Sequence, residues 1–315
     1  MQPLRYGILS TSSIAPRFIA AVRAADAGQI VALSSRTPEK AREKAQQWQI
    51  STAYGSHKAL LEDPQVNVVY ISAVNAQHYP LAKMALEHGK HVVCEKPCTT
   101  SAADTKDLFR LAREKKLFLM EAEKMLFLPA VLAVRDAIAK GDLGKIQMVE
   151  LSHSFSPSYN GWMFDPQAGG GTLLSSGIYA VQLLIWLFGP IKQICGIPSR
   201  LPNGAEDQYV LMGQTESGVL FHIKNSTRTT LDNTARFYGE KGWIELPEYW
   251  KARKAVFCMT DRKPETVEFP CEHELMYEAV HIRDCLQAGL LTSPVVTEDL
   301  TVAGIAALEQ VKKYW

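Results

Sequence analysis

An excess of charge of either sign is missing from this chain: 34 lysines and arginines stand against 33 aspartates and glutamates in 315 residues, a formal net charge of +1. Without a basic stripe there is no electrostatic footprint for a nucleic-acid backbone, and no nucleic-acid partner is expected. Paired metal-ligand cysteines are missing too. The six cysteines, at 94, 98, 195, 258, 271 and 285, include no C-x-x-C pair. Cys94 and Cys98 flank a strand end, where alternating side-chain direction keeps them from sharing one ion. The sequence has no zinc-ligand spacing, nucleophile elbow or internal repeat, so reduced structural thiols and no metal are expected. The most apolar stretch, Val181–Ile191, is interrupted by Gly189-Pro190. It is shorter than the roughly 20 residues that cross a bilayer, so it reads as a buried helix and no membrane partner is expected. The start, Met1-Gln2-Pro3-Leu4-Arg5, runs into the first strand without a signal peptide, which sets a cytoplasmic expectation.

What is present is alternation. Residues 4–121 read as strands over Leu4–Ser10, Ile30–Ser35, Val66–Ala73, His91–Glu95 and Leu117–Glu121. Between them lie helical patterns reaching about Ala25, then over Glu39–Trp48, near Pro80–His88 and over Ala103–Lys115. Strand and helix at this spacing make βαβ units with right-handed crossovers, hence a parallel, doubly wound Rossmann sheet. Beyond residue 122 the pattern changes to a helix near Pro129–Lys140. It is followed by β-rich segments over Ile146–Phe155, Gln208–Gln214, Val219–Asn225 and Ala235–Gly239, and two helices over Glu274–Ala288 and Glu298–Tyr314. The expectation is an α/β chain of two domains, residues 1–122 for a dinucleotide and 123–315 an α+β domain with a mostly antiparallel, open-faced sheet. A hydrophobic fraction of 47% over this length can fill both cores.

The first βα turn lacks the glycines of a dinucleotide fingerprint. G-x-G-x-x-G falls on Ser10-Thr11-Ser12-Ser13-Ile14-Ala15. Small residues still admit a pyrophosphate to the helix amides, and serine hydroxyls can donate to it; the alternative is an ordinary serine-rich helix cap. At the end of the second strand, Ser34-Ser35-Arg36-Thr37-Pro38-Glu39-Lys40 carries no acid where an NAD-selective site places one. Ser35, Arg36 and Lys40 therefore suit a ribose 2′-phosphate, which favours NADP with NAD as the alternative. The end of the Val66–Ala73 strand, Ala73-Val74-Asn75-Ala76-Gln77-His78, offers Ala73, Asn75 and His78 to the nicotinamide side. The His91–Glu95 strand stops at Glu95-Lys96-Pro97, where the proline cannot continue the ladder. In an open α/β sheet the carboxyl ends of strands border the ligand crevice, so Lys96 is the leading candidate for chemistry.

Read together, these segments resemble the Gfo/Idh/MocA oxidoreductase family, most closely its dimeric dihydrodiol dehydrogenase branch. The matching stretches include Tyr6-Gly7-Ile8-Leu9, Ser35-Arg36, Val74-Asn75-Ala76-Gln77-His78, the run from Ala85 to Pro97, Leu119-Met120-Glu121-Ala122, Phe127-Leu128-Pro129-Ala130 and Gly169-Gly170-Gly171-Thr172-Leu173-Leu174. The resemblance implies proton transfer by Lys96 beside a nicotinamide ring, cofactor contacts from the Ser10–Ile14 loop, Glu95 and Glu121, and a homodimer or higher homo-oligomer through the C-terminal sheet. It departs from the family after the triple glycine, where Leu173-Leu174-Ser175-Ser176-Gly177-Ile178-Tyr179 keeps the branch's tyrosine and replaces an aspartate by Ser175. An arginine common in the branch corresponds to Trp162. Losing both charges leans towards a less polar carbonyl or alcohol, with Ser175 and Trp162 at the substrate.

The expected reaction is reversible hydride transfer between NADP(H) and a small alcohol or carbonyl compound (sugar, polyol or dihydrodiol-like). Lys96 and Tyr179 would hydrogen-bond the substrate oxygen, and one of them would deliver the proton. Two other readings stay open: a non-catalytic dinucleotide-binding regulator, or an NAD-dependent lyase or hydrolase that oxidises its substrate transiently.

Overall fold

The structure is a computed structural model that describes residues 3–157, 159 and 161–315; Met1 and Gln2, part of the expected leaderless start, lie outside the described residues. The chain forms two compact units, Met1–Glu123 with His273–Thr301, and Lys124–Glu272 with Val302–Trp315. His273–Thr301, which the sequence pattern grouped with the second domain, therefore clusters with the first.

The first unit alternates β1 (Arg5–Leu9), α1 (Ala15–Ala24), β2 (Gln29–Ser34), α2 (Pro38–Gln47), β3 (Thr52–Tyr54), α3 (His57–Leu61), β4 (Val68–Ile71), α4 (His78–Glu87), β5 (His91–Glu95), α5 (Ala102–Lys115) and β6 (Leu119–Ala122). The six strands lie in the order β3-β2-β1-β4-β5-β6, and every pairing is parallel. This is the doubly wound Rossmann sheet read from the sequence. β4 is buried at every position, as a parallel strand covered on both faces must be. β3 and α3 occupy what the sequence offered only as a short connection. Thr37, Ser56 and Ser101 cap α2, α3 and α5 by accepting backbone N–H groups.

In the second unit, α6 (Pro129–Lys140) precedes β7 (Ile146–Ser154), and α7 (Ile178–Phe188) precedes a run of strands: β8 (Ile191–Arg200), β9 (Glu206–Thr215), β10 (Leu220–Ser226), β11 (Thr234–Gly239), β12 (Gly242–Pro247), β13 (Lys254–Met259) and β14 (Glu265–Glu268). The eight strands follow the order β14-β13-β12-β11-β7-β10-β9-β8. Only β7 and β10 pair in parallel; the other pairings are antiparallel. β8 was not read from the sequence because Gly196 and Pro198 interrupt its pattern; as an edge strand it tolerates both. Along β10, Phe221, Ile223 and Asn225 point into the core while Leu220, His222 and Lys224 face outward. That alternation matches an open-faced sheet. The segment Pro166–Phe188 has the length and mean hydropathy (1.6) of a membrane span, longer than the sequence reading allowed, but 78% of that window is buried inside the protein. It is the core helix under the sheet.

The first unit closes on an aromatic stack. Phe18 of α1 lies flat on Tyr70 of β4, with centroids 3.8 Å apart and planes 3° from parallel. Tyr6 of β1 meets Phe18 edge-on at 5.7 Å, and all three are fully buried. Phe18→Ala is expected to destabilise the protein by about 3–5 kcal/mol. Urea unfolding reads this as a lower midpoint at similar slope; a loss below about 1 kcal/mol would mean that the stack does not hold α1 to the sheet.

Candidate active site

Two groups of predicted residues lie in the first unit, at the carboxyl ends of its strands. In the turn after β1, Ser10 takes a left-handed backbone with φ 90°, the conformation that suits the glycine this position lacks. α1 begins without a side-chain cap: its cap residue is Ile14, with Pro16 in the first turn. The serine-rich turn is therefore not a helix cap, and the Ser12 hydroxyl oxygen is buried without a hydrogen-bond partner. The first turn of α1 has few free amides, because Pro16 has no N–H and the amides of Ala15 and Arg17 donate to the Ser12 and Ile14 carbonyls; what the turn offers a dinucleotide pyrophosphate is the loop ahead of it and the Ser12 hydroxyl. At the end of β2, Ser35 is buried, while Arg36 and Lys40 are exposed and, among the described residues, enter no ion pair. His57 sits beneath them, its Nδ1 2.8 Å from the Ser34 Oγ. Burial and the Arg36 charge hold its imidazole below the ordinary value.

The second group surrounds Lys96. Burial pushes the Lys96 ammonium below the ordinary lysine value, while Glu95, Glu123 and Glu121 pull it back up. Glu121 and Glu123 are fully buried; β6 is covered on both faces, and the strand is buried at every position. Each neighbour is fixed in turn. The Tyr70 hydroxyl donates to Glu95 Oε1 at 2.5 Å, and the Cys98 N–H donates to Glu121 Oε1 at 2.7 Å.

His78 lies between two backbone carbonyls. Its Nδ1 is 2.7 Å from the Pro97 carbonyl and its Nε2 2.9 Å from that of Ala73. A neutral ring donates to one of them and the protonated ring to both, so His78 braces the Lys96 loop against the segment after β4. Glu121 likewise serves that loop from inside the core. Asn75 is buried at the same strand end.

In the second unit, Ser175 lies in a π-helical turn over Leu173–Gly177 that leads into α7, where Tyr179 is on the first turn. Such turns recur at functional sites. The glycines ahead of it are required by space: a Cβ on Gly170 would stand 2.5 Å from the Met163 carbonyl oxygen, and one on Gly171 (φ +110°) would strike the Glu206 carboxylate. Ser176 donates its hydroxyl to the Thr172 carbonyl at 2.8 Å and accepts from Asn225 Nδ2 at 2.7 Å, tying the turn to β10. The Tyr179 hydroxyl accepts a bond from the Lys124 ammonium at 3.2 Å. Trp162 stands on the preceding turn, 42% exposed. Sequence reasoning missed Glu123 and Lys124. Their signal was an acid and a base set directly before the apolar run Met125-Leu126-Phe127-Leu128, which has to be buried and takes them with it.

Comparison with known proteins decides the family. Residues 4–123 match the oxidoreductase family with an NAD-binding Rossmann fold, and residues 131–245 match the GFO/IDH/MocA C-terminal domain. The chain belongs to the Gfo/Idh/MocA oxidoreductases. Relatives in this family include the trans-1,2-dihydrobenzene-1,2-diol dehydrogenases of Mus musculus, 34% identical over 93% of this chain and 91% of that one, and of Homo sapiens, 33% identical over 98% and 96%. Among solved structures, a 3-ketoreductase from Actinomadura kijaniata in complex with NADP superposes with a TM-score of 0.89 at 22% identity, covering 99% of this chain and 98% of that one. An aldose-aldose oxidoreductase from Caulobacter crescentus gives 0.88 at 24%, covering 99% and 97%.

Burial also holds the imidazoles of His78, His91 and His281 below their ordinary value, as it does that of His57. For His78 the two carbonyl contacts favour the charged ring, but burial is the larger effect. These groups bind protons near pH 6.5 in the unfolded chain and only lower in the fold, so stability is full above about pH 6.5 and is lost as pH falls below it. The urea midpoint is expected to be lower at about pH 5.5 than at about pH 7.5, a window above the carboxylate range, and His78→Gln should narrow the gap. Equal midpoints at the two pH values would mean that these rings are charged in the folded protein.

Proposed function

We propose that the protein is an NADP-preferring dehydrogenase or reductase of a small, weakly polar alcohol or carbonyl compound. A ring bearing adjacent oxygens, of the dihydrodiol kind named for its relatives, is the leading substrate class. The observation that carries this reading is Lys96, an ammonium at the end of β5 held low by burial and kept within reach of its charge by three carboxylates. A proton donor of that kind suits a substrate oxygen whose charge changes as hydride is transferred. When bound, the nicotinamide supplies or accepts the hydride. Lys96 gives a proton to the substrate oxygen on reduction and takes it back on oxidation. Tyr179 donates a hydrogen bond to the substrate and polarises it. Ser175 and Trp162 shape the substrate's surroundings without adding charge.

Arg36 and Lys40, exposed and outside any described ion pair, support the preference for NADP through a 2′-phosphate. The same proposal includes pairing with a second copy through the open sheet, whose outer face exposes Met148, Val210, Met212 and Leu220, with Ile197 of β8 at 79% exposure. It also includes a cytoplasmic location, consistent with six free thiols.

Turnover of trans-1,2-dihydrobenzene-1,2-diol, aldoses and their ketones with each dinucleotide, followed by NAD(P)H absorbance, tests the reading. Lys96→Met is expected to lower kcat by about 10² or more with little change in cofactor affinity. A variant that keeps most of its turnover would reduce Lys96 to a structural residue.

Cofactor choice has its own measurement. Fluorescence titration should show NADPH binding about tenfold or more tighter than NADH, with Arg36→Ala erasing most of the difference, on the order of 1.5–3 kcal/mol for a charge-assisted pair. Equal affinities in the unsubstituted protein would remove the assignment.

A further inference from the structure

We propose that Lys124 is a positioning residue for Tyr179: it turns the tyrosine O–H towards the substrate and strengthens that hydrogen bond. The inference deepens the function proposed above and rests on its reading of Tyr179. The geometry has two parts. Lys124 Nζ lies 3.2 Å from the Tyr179 hydroxyl oxygen, and the same nitrogen sits 4.9 Å from the centre of the ring. An ammonium has three donors and no acceptor. The phenol oxygen must therefore accept from Lys124, which leaves its own O–H to be donated elsewhere. A positive charge against the oxygen also draws electron density from the O–H, making it a better donor than a tyrosine in water.

The pair is withdrawn from water: Lys124 is 7% exposed and Tyr179 8%, so the contact between them is little screened by solvent. Other charged groups stand near it. Glu123, the residue before Lys124, is fully buried. Neither α7 nor the Leu173–Gly177 turn contains a charged residue. β9, which packs on α7, brings Glu206 and Asp207, which face Lys312 at 4.0 Å and Arg228 at 2.5 Å. The turn Tyr249–Lys251, packed on the turn bearing Lys124, has Lys251 matched to Glu248 at 2.8 Å. α6, also against that turn, carries Arg135 and Asp136 paired with each other at 2.7 Å, and Lys140 at its exposed end.

A double-mutant cycle tests the assignment on whichever substrate turns over. Lys124→Met, which keeps the stem and removes the donor, should lower kcat by about tenfold while KM for the dinucleotide holds. Lys124→Arg, still a cationic donor, should retain more turnover than the methionine variant. In a Tyr179→Phe background Lys124→Met should cost nothing further, because the group it acts through is gone. Equal losses in both backgrounds would assign Lys124 a structural role and overturn the inference. Full turnover in Tyr179→Phe alone would overturn the reading of Tyr179 instead.

A second readout needs no substrate and serves also if Lys124→Met folds poorly, with Lys124→Gln in its place. In protein carrying tyrosine labelled with carbon-13 at Cζ, the Tyr179 resonance, identified by its loss in Tyr179→Phe, should titrate about one pH unit or more higher once the ammonium is removed. A titration that does not move would also overturn the inference.

Discussion

A charge taken out of water has to be answered where it stands, and the ammonium of Lys96 organises the first unit on that rule. Glu95, Glu121 and Glu123 answer it, and each is delivered by a strand end. Their own second bonds then reach outward: Tyr70 holds Glu95 and the Cys98 amide holds Glu121. His78 clamps the carbonyls of Ala73 and Pro97 across the same region. Together these bonds tie the ends of β4, β5 and β6 and the start of α4 to the loop that follows Lys96, which leaves that loop little freedom.

The second unit solves a different problem with the same economy of groups. Tyr179 stands at the start of a helix in which Gln182 is the one other polar side chain, so polar anchors are scarce. The anchors are supplied from the turn before it: glycines that no side chain could replace let the chain pass close to the Met163 carbonyl and the Glu206 carboxylate, and Ser176 with Asn225 fastens the turn to the sheet. Ser175 sits inside this turn.

The parallel sheet was legible because its signal is redundant: apolar runs, helical spacing and connection lengths all agree, and β1, β2, β4, β5 and β6 lie where the pattern put them. Lys96 was legible because a strand stopped by proline marks a definite place in such a sheet. Short elements without periodicity were not. β3 spans three residues, too few to establish a repeat, and β8 is broken by glycine and proline that only an edge strand accepts. For His78, sequence shows a polar side chain near a crevice but not which carbonyls its ring will meet. Lys124 was passed over for a related reason. Its meaning lies in a partner 55 positions away, and nothing local announces that distance.

The return of His273–Thr301 to the first unit sets an order of events during synthesis. The helix over Met276–Gln287 packs on α1, Glu274 pairs with Arg17, and the Leu291 carbonyl accepts the Leu119 amide at 3.1 Å at the sheet edge. A ribosome that has released the whole parallel sheet has not yet released the pieces that cover α1 and the β6 edge. Throughout the translation of some 150 further residues, Lys124–Glu272, the dinucleotide unit stays open on that side. Its final closure then waits for a segment made after most of the other unit, so the unit that begins the chain is among the last to be finished.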